Sequence, residues 1–263
     1  MQLSTYRGDW ALVTGASSGI GREFALALAA AGMNLVLVAR RKDRLDEIAA
    51  ELTGRHGVES RVVVADLARA GAPADIKALL SSEGRRIRLL CNNAAFGRWG
   101  RFENTSAAVY QDMVQVNITA LVATCHTFLP DLRTFPSSVI INVASAAAYQ
   151  PVPYMAVYAA TKAFVASFSQ ALYGEWKDYG VLVQTLVPGP TETEFDVVAG
   201  AYPTVVIKRV PAAQVVRDSL ARLSAEDPVA LSARGTLAQR FFAGLFPPRI
   251  VIREVAKRFR PPD

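Results

Sequence analysis

A short apolar run, Trp10-Ala11-Leu12-Val13, leads directly into Thr14-Gly15-Ala16-Ser17-Ser18-Gly19-Ile20-Gly21, and that turn opens an alanine-rich stretch. No other feature restricts the fold as much, because it demands a buried strand, a tight turn and a helix in immediate succession. Glycine supplies the positive φ and the close backbone approach such a turn needs. The free N–H groups at the helix start attract phosphate, and the pyrophosphate of a dinucleotide fits there.

The same alternation continues along the chain. Apolar runs at residues 34–39, 61–65, 88–92, 139–144 and 181–186, with a shorter one near 229–232, read as strands between alanine-rich helical runs. Continuous apolar strands separated by helices belong to a parallel sheet covered on both faces. The expected architecture is therefore α/β, in three αβα layers around a doubly wound parallel sheet. Residues 1–263 are expected to form one domain, since no repeat, low-complexity linker or sharp change of composition divides them. With 51% of residues apolar, the chain has ample material for one core. Ligand is expected at the carboxyl ends of the strands, where strand order reverses.

Chemistry is concentrated further along. Tyr158 and Lys162 are one helical turn apart, so on a helix they share a face. A phenol titrates near pH ~10, but a neighbouring ammonium favours phenolate, which suits Tyr158 to acid/base work. The same pair also occurs on ordinary helices as a core ring and a solvated charge. Ser145 ends the apolar run 139–144, where its hydroxyl can face the helix carrying Tyr158.

Together these motifs resemble the short-chain dehydrogenase/reductase family in its single-domain form, over nearly the whole chain. Thr14 to Gly21 matches the family's TGxxxGxG, and Asn92-Asn93-Ala94-Ala95 is similar to its NNAG. Asn117, Ser145, Tyr158 and Lys162 match its Asn-Ser-Tyr-Lys tetrad in order and spacing, and Pro188-Gly189 matches its PG element. Ala95 departs from the usual glycine and adds a methyl group beside the expected cofactor path; Gly97, two residues on, can share the bend. The resemblance implies a Rossmann fold and hydride transfer between nicotinamide C4 and a carbonyl carbon. It implies that Tyr158 donates the proton in reduction, that Lys162 lowers the tyrosine pKa and binds the nicotinamide ribose, and that Ser145 polarises the carbonyl. Asn117 would hold a water in a proton relay through Lys162, or else bond backbone inside a helix kink. Cofactor contacts are implied at Gly15, Ser17, Ser18, Gly19, Ile20, Gly21, Asn93, Ala94, Ala95, Tyr158, Lys162, Pro188, Gly189 and Thr191. The family also implies a homodimer or homotetramer, commonly built on the helices bearing Asn117 and Tyr158.

The end of the second strand bears on the cofactor. An acidic residue there would accept from the ribose 2′-hydroxyl of NAD, but this chain has Ala39-Arg40-Arg41. A 2′-phosphate suits a guanidinium fork, with Ser17 adding a hydroxyl, so NADP (NADPH) is favoured and Arg40 is the first choice of phosphate ligand, ahead of Arg41. The alternative is that both arginines only begin a basic helix at 42–52. Asp66-Leu67 resembles the family's adenine-contacting pair; Asp66 can equally cap the next helix.

Substrate specificity in such a fold lies in loops. Residues 146–155, with Tyr149, Val152, Pro153, Tyr154 and Met155, should border the reacting carbon beside Ser145. Residues 191–209, with Phe195, Tyr202 and Val205, could close as a lid. Both are mainly apolar, which favours a small hydrophobic ketone or secondary alcohol, with Ser145, Tyr149, Met155, Tyr158 and Phe195 as its contacts; the alternative is that they only pack under a loop. After Phe241-Phe242-Ala243, the segment 249–260 places Val251, Val255 and Phe259 at helical spacing among arginines and lysines, as a basic amphipathic helical tail. Such a tail can touch a membrane surface, cover the site or join subunits.

A net charge of +6 without an aromatic-interleaved basic motif does not suggest nucleic acid. No unbroken run of 18 apolar residues appears, and the residues before Trp10 are short and polar, so the expected location is cytoplasmic. Cys91 and Cys125 read as buried thiols in a reducing compartment, and His56 and His126 stand apart from them, so no metal site is expected. A nicotinamide-binding sensor or scaffold, and a membrane-surface lipid-handling protein, are the competing readings; a sensor needs the glycine turn but not Tyr158.

Overall fold

The computed structural model describes residues 3–200, 209–232 and 244–261. Seven strands form one sheet in which every neighbour pairs parallel: β1 (Trp10–Thr14), β2 (Asn34–Ala39), β3 (Ser60–Val64), β4 (Ile87–Asn92), β5 (Ser138–Val143), β6 (Val181–Val187) and, last in the chain, β9 (Val229–Leu231). Their order is β3-β2-β1-β4-β5-β6-β9, so the winding reverses between β1 and β4. A two-stranded ribbon, β7 (Thr191–Glu192) and β8 (Val210–Pro211), stands apart from this sheet. These strands fall within one or two residues of the apolar runs read from the sequence.

Strand side chains alternate between faces, and each face has its own core. On one, Leu35, Leu37, Val139 and Leu186 meet Phe24 and Leu28 of α1 (Gly19–Ala30), Leu45 and Ile48 of α2 (Lys42–His56), and Val215 of a later helix, Ala212–Leu223. On the other, Leu12, Val36, Leu90 and Ile140 meet Ile76 and Leu80 of α3 (Ala72–Ser82) and residues from a long helical stretch at 107–132. That stretch comprises α4 (Ala107–Val114), one π-helical turn (Gln115–Thr119) and α5 (Ala120–Leu132). By length and a mean hydropathy of 1.2 it could cross a membrane, yet Leu121, Cys125 and Phe128 are buried against the sheet, as in a core helix. Next come α6 (Ala156–Trp176), α7 (Phe195–Ala199), the Ala212–Leu223 helix as α8, and α9 (Pro248–Phe259). Tyr202, Val205 and Phe241-Phe242-Ala243 lie outside the described residues.

Two local features set one end each of α2 and α9. Gly57 takes φ +66° and returns its N–H to Thr53 O (2.9 Å), the left-handed C-terminal cap that halts α2 four residues beyond the expected 52. Pro248 occupies the first turn of α9, where the missing N–H costs nothing.

Candidate active site

At the carboxyl end of β1 the chain turns through Gly15, at φ +66°, into α1. The turn is stitched to the loop after β4. Asn93 N and Ala94 N both donate to the Thr14 hydroxyl (3.0 Å each), and Asn93 Nδ2 donates to Thr14 O (2.9 Å). A Cβ on Gly21 would lie 2.4 Å from Gly15 O, and one on Gly15 would lie 2.8 Å from Asn93 Nδ2. The turn closes so tightly that only glycine fits at these two positions, and Ser18, at the head of α1, makes no side-chain cap to the first amides of the helix. Ala95, the departure from the family pattern, lies half-buried in the same loop. Gly97 keeps ordinary backbone angles; its importance is space, since a Cβ there would meet Phe195 Cζ at 2.6 Å and Tyr158 Cδ2 at 3.2 Å.

Beside the turn a cationic cradle forms, and it is Arg41 rather than Arg40 that enters it. Arg41 donates from Nε and Nη2 to Ser17 Oγ (3.2 and 3.0 Å) and from Nη2 to Ser18 Oγ (2.8 Å). Its Nη1 meets Glu194 Oε2 at 2.8 Å, and the other carboxylate oxygen of Glu194 pairs with Arg44. Held by the two guanidiniums, with the Arg44 hydrogen bond the larger influence, the Glu194 carboxyl is pulled down to a pKa of about 2. Arg40 is exposed at the end of β2. Asp66 does not cap α3, whose first residue is Ala72; its Oδ1 accepts from Ala68 N at 3.0 Å and fixes a turn. Leu67 is buried against the sheet.

The tetrad is drawn together through backbone atoms of its neighbours. Asn117 lies in the π-helical turn, where its Nδ2 donates to Phe96 O (2.9 Å) and Thr161 Oγ1 (3.0 Å) while its Oδ1 accepts from Phe96 N (3.1 Å). This is the kink-bonding geometry: both amide hydrogens are spent on holding the loop after β4 to α6. Lys162, 3% exposed, donates from Nζ to Val143 O (2.7 Å), at the end of β5 and two residues before Ser145. Ser145 Oγ accepts from Ala147 N (3.2 Å), and its side chain also hydrogen-bonds Tyr158. A buried amide chain supports the floor: Asn92 Nδ2 donates to Asn142 Oδ1 and Asn142 Nδ2 to Ser169 Oγ, each at 2.9 Å, joining β4, β5 and α6.

The electrostatics differ from the expectation that Lys162 lowers the tyrosine pKa. Burial pushes Tyr158 up to about 12, with the Ser145 hydrogen bond pulling the other way, and burial pulls Lys162 down to about 7. The ammonium is directed at Val143 O, and Nζ stands 5.9 Å from the Tyr158 ring centre. Desolvation therefore favours the neutral form of both groups. Cys91 and Cys125 are buried, with both thiols held protonated by the same cause. Among the described residues no cluster of His, Cys, Asp and Glu could hold a metal ion.

Next to Tyr158 an apolar cluster gathers Met113, Val152, Met155 and Ala159, with Phe195 tilted against the Tyr158 ring at 5.0 Å between centres. Tyr149 packs instead against the sheet-facing core, and Thr191 bonds Gly189 O (2.8 Å). Pro188 O accepts from Ala146 N (2.8 Å) and so fixes the loop after β6 to the Ser145 loop. The tail helix α9 lies on this site: Val251 and Val255 are buried in the Tyr158 cluster, and Trp99 Nε1 donates to Phe259 O at 2.8 Å. Four contributors were not singled out from the sequence. Arg44 and Thr161 lie close in sequence to residues named there, whereas Thr193 and Glu194 lie in the 191–209 segment, whose contacts with the glycine turn and the cradle only the fold reveals.

Comparison with known proteins agrees with this arrangement. Residues 9–201 match the family model for short chain dehydrogenase. A very-long-chain 3-oxoacyl-CoA reductase of Anas platyrhynchos is 36% identical over 187 residues, covering 69% of this chain and 59% of that protein. The chain thus spans well under two thirds of that relative's length. Among solved structures, a short-chain dehydrogenase from Sphingobium yanoikuyae in complex with NADPH superposes with a TM-score of 0.82 at 33% identity, covering 89% of this chain and 91% of that one. A bulky-bulky ketone specific alcohol dehydrogenase from Comamonas testosteroni gives 0.76 at 28% identity, with 91% and 95% covered. The chain belongs to the short-chain dehydrogenase family of oxidoreductases.

Proposed function

We propose that this protein is an NADP(H)-dependent oxidoreductase acting on the carbonyl carbon of an apolar ketone, or on the corresponding secondary alcohol. The observation that carries the reading is the convergence of Ser145, Tyr158 and Lys162 at the carboxyl ends of β5 and β6, beside a glycine turn that leads into a helix start without a side-chain cap. The residues fit a phosphorylated dinucleotide. Gly15 and Gly21 let the turn close tightly on itself and on Asn93, the α1 N-terminus it leads into carries no side-chain cap and suits a pyrophosphate, and Arg41 with Ser17 and Ser18 offers a guanidinium and two hydroxyls to a 2′-phosphate. When bound, the nicotinamide supplies or accepts the hydride.

The chain's own residues do the rest. Ser145 Oγ donates to the substrate oxygen and stabilises charge developing on it. Tyr158, protonated through the neutral range, delivers its phenolic proton to that oxygen in reduction and must be deprotonated for oxidation. Lys162 is positioned by Val143 O and, with a pKa near neutrality, can pass a proton in either direction. Met155 and Val152 with the α9 face exclude water and favour an apolar substituent on the carbonyl. The names of the relatives, one for a very-long-chain 3-oxoacyl-CoA and one for bulky ketones, support a large apolar substrate. Isotope transfer tests the reading: with NADPH deuterated at C4 and a panel of apolar ketones and 3-oxoacyl thioesters, deuterium is expected on the carbinol carbon of the product. Cofactor binding with no transfer to any of them would favour the sensor reading.

A further inference from the structure

Three consecutive residues, the two between β7 and α7 and the first of α7, touch three different parts of the site. Thr193 Cγ2 lies 2.9 Å from where a Gly19 Cβ would stand, on the glycine turn. Glu194 spans Arg41 and Arg44 in the cradle. The Phe195 ring rests on Tyr158 with 5.0 Å between centres. The segment is tied to itself by Phe195 N donating to Thr193 Oγ1 (3.2 Å) and Val198 N donating to Glu194 O (3.0 Å), so Glu194 is not free to move without its neighbours.

The cradle thus already holds an anion. Arg41 turns Nε and Nη2 to the two serines and Nη1 to the carboxylate, which leaves a phosphate monoester dianion to compete with Glu194 for the same guanidinium. Two anions pressed against one pair of arginines repel each other. The Glu194 pairs are about two-fifths exposed, with side-chain exposures of 41–46%, and exposed pairs are weak enough for a dianion with matched oxygens to replace them.

We propose that Glu194 is a built-in counter-ion of the cradle, which an adenosine 2′-phosphate displaces, and that its release loosens residues 193–195 from the glycine turn and from Tyr158. This rests on the NADP reading given above. It makes Glu194 a specificity-determining residue: the phosphorylated cofactor uncovers Tyr158 before a carbonyl compound arrives, and a cofactor lacking the 2′-phosphate leaves Phe195 in place. No covalent step is involved.

The test uses nucleotides without nicotinamide, 2′,5′-ADP and 5′-ADP, titrated calorimetrically into the wild type and into Glu194→Gln. The variant is expected to bind 2′,5′-ADP about tenfold more tightly, with 5′-ADP unchanged within about twofold, the scale of one exchanged ion pair. Amide hydrogen exchange supplies an independent readout. In the wild type 2′,5′-ADP, but not 5′-ADP, should speed exchange at Phe195 and Val198, and in Glu194→Gln exchange there should be fast without any nucleotide. Equal or weaker 2′,5′-ADP binding by the variant, or exchange indifferent to the 2′-phosphate, overturns the counter-ion role while leaving the NADP reading intact. A wild type that binds the two nucleotides alike overturns both.

Discussion

The two ends of the candidate site hold their charges in opposite ways. In the cradle, Arg41, Arg44 and Glu194 are each about two-fifths exposed and are bound to one another, and Glu194 is shifted by its partners. Around Tyr158, exposure falls to 9% for the tyrosine and 3% for Lys162, and both groups are shifted by burial, with no carboxylate among the causes that lead. The first end is governed by exchangeable pairs, so a competing anion can reset it. The second is governed by exclusion of water, so only a change in packing or a bound ligand can reset it. One end is suited to recognising a charged group, the other to moving a proton at a neutral carbonyl.

Substitutions that break this contrast differ in size. The largest effect is expected from Gly21→Ala, because the new methyl would lie 2.4 Å from Gly15 O and 2.5 Å from Asn93 Nδ2, both held by rigid backbone turns. Overpacking of this kind costs about 1–3 kcal/mol or more, and it closes the α1 N-terminus, so both NADPH and NADH binding should be lost together with a lowered Tm. Unchanged cofactor fluorescence titrations would mean that the turn is looser than its geometry. An intermediate effect is expected from Arg41→Ala. Losing one charge-assisted contact should weaken NADPH about 10- to 100-fold and leave NADH within about twofold, and equal losses for both cofactors would place the 2′-phosphate elsewhere.

A third effect concerns the buried end and is read from pH dependence. Unfolded, Lys162 keeps its proton to about pH 10.5; folded, it keeps it only to about 7. Between these values the unfolded chain binds more protons, so this residue makes stability rise with pH, whereas below about pH 7 its slope vanishes. Urea denaturation of wild type and Lys162→Met should therefore differ in slope: from pH 7 to 9 the wild type gains stability relative to the variant. Parallel pH profiles would show that Lys162 stays charged in the fold.

How much of this the sequence disclosed depends on the range of the interaction. The glycine turn and the Tyr158–Lys162 spacing are local, and a strand period of two or a helix period of 3.6 is enough to orient them. The sheet was legible because parallel strands buried on both faces are mainly apolar, as in β5, where every residue is buried and four of the six are Val or Ile. Choosing between Arg40 and Arg41 depends on which of them reaches Ser17, 24 positions from Arg41, and a strand-end pattern does not fix that. Glu194 meets Arg41 from 153 positions away, with no periodicity linking them. The amphipathic pattern of α9 announced an apolar face, but only the fold shows Met155 and Tyr158 beneath Val251 and Val255. The lysine–tyrosine expectation failed for a related reason: spacing gives proximity, while the pKa follows from burial, and burial is a property of the assembled fold.

Tyr158 is the residue on which proton transfer depends, and the most direct measurement of that role is a comparison of kcat and the NADPH dissociation constant in Tyr158→Phe. Loss of the phenolic proton should lower kcat by about 100- to 10,000-fold, while the dissociation constant stays within about twofold because the ring and its packing remain. Turnover retained in the variant would contradict the account, and NADPH binding lost along with turnover would mean that Tyr158 holds the cofactor instead of performing the chemistry.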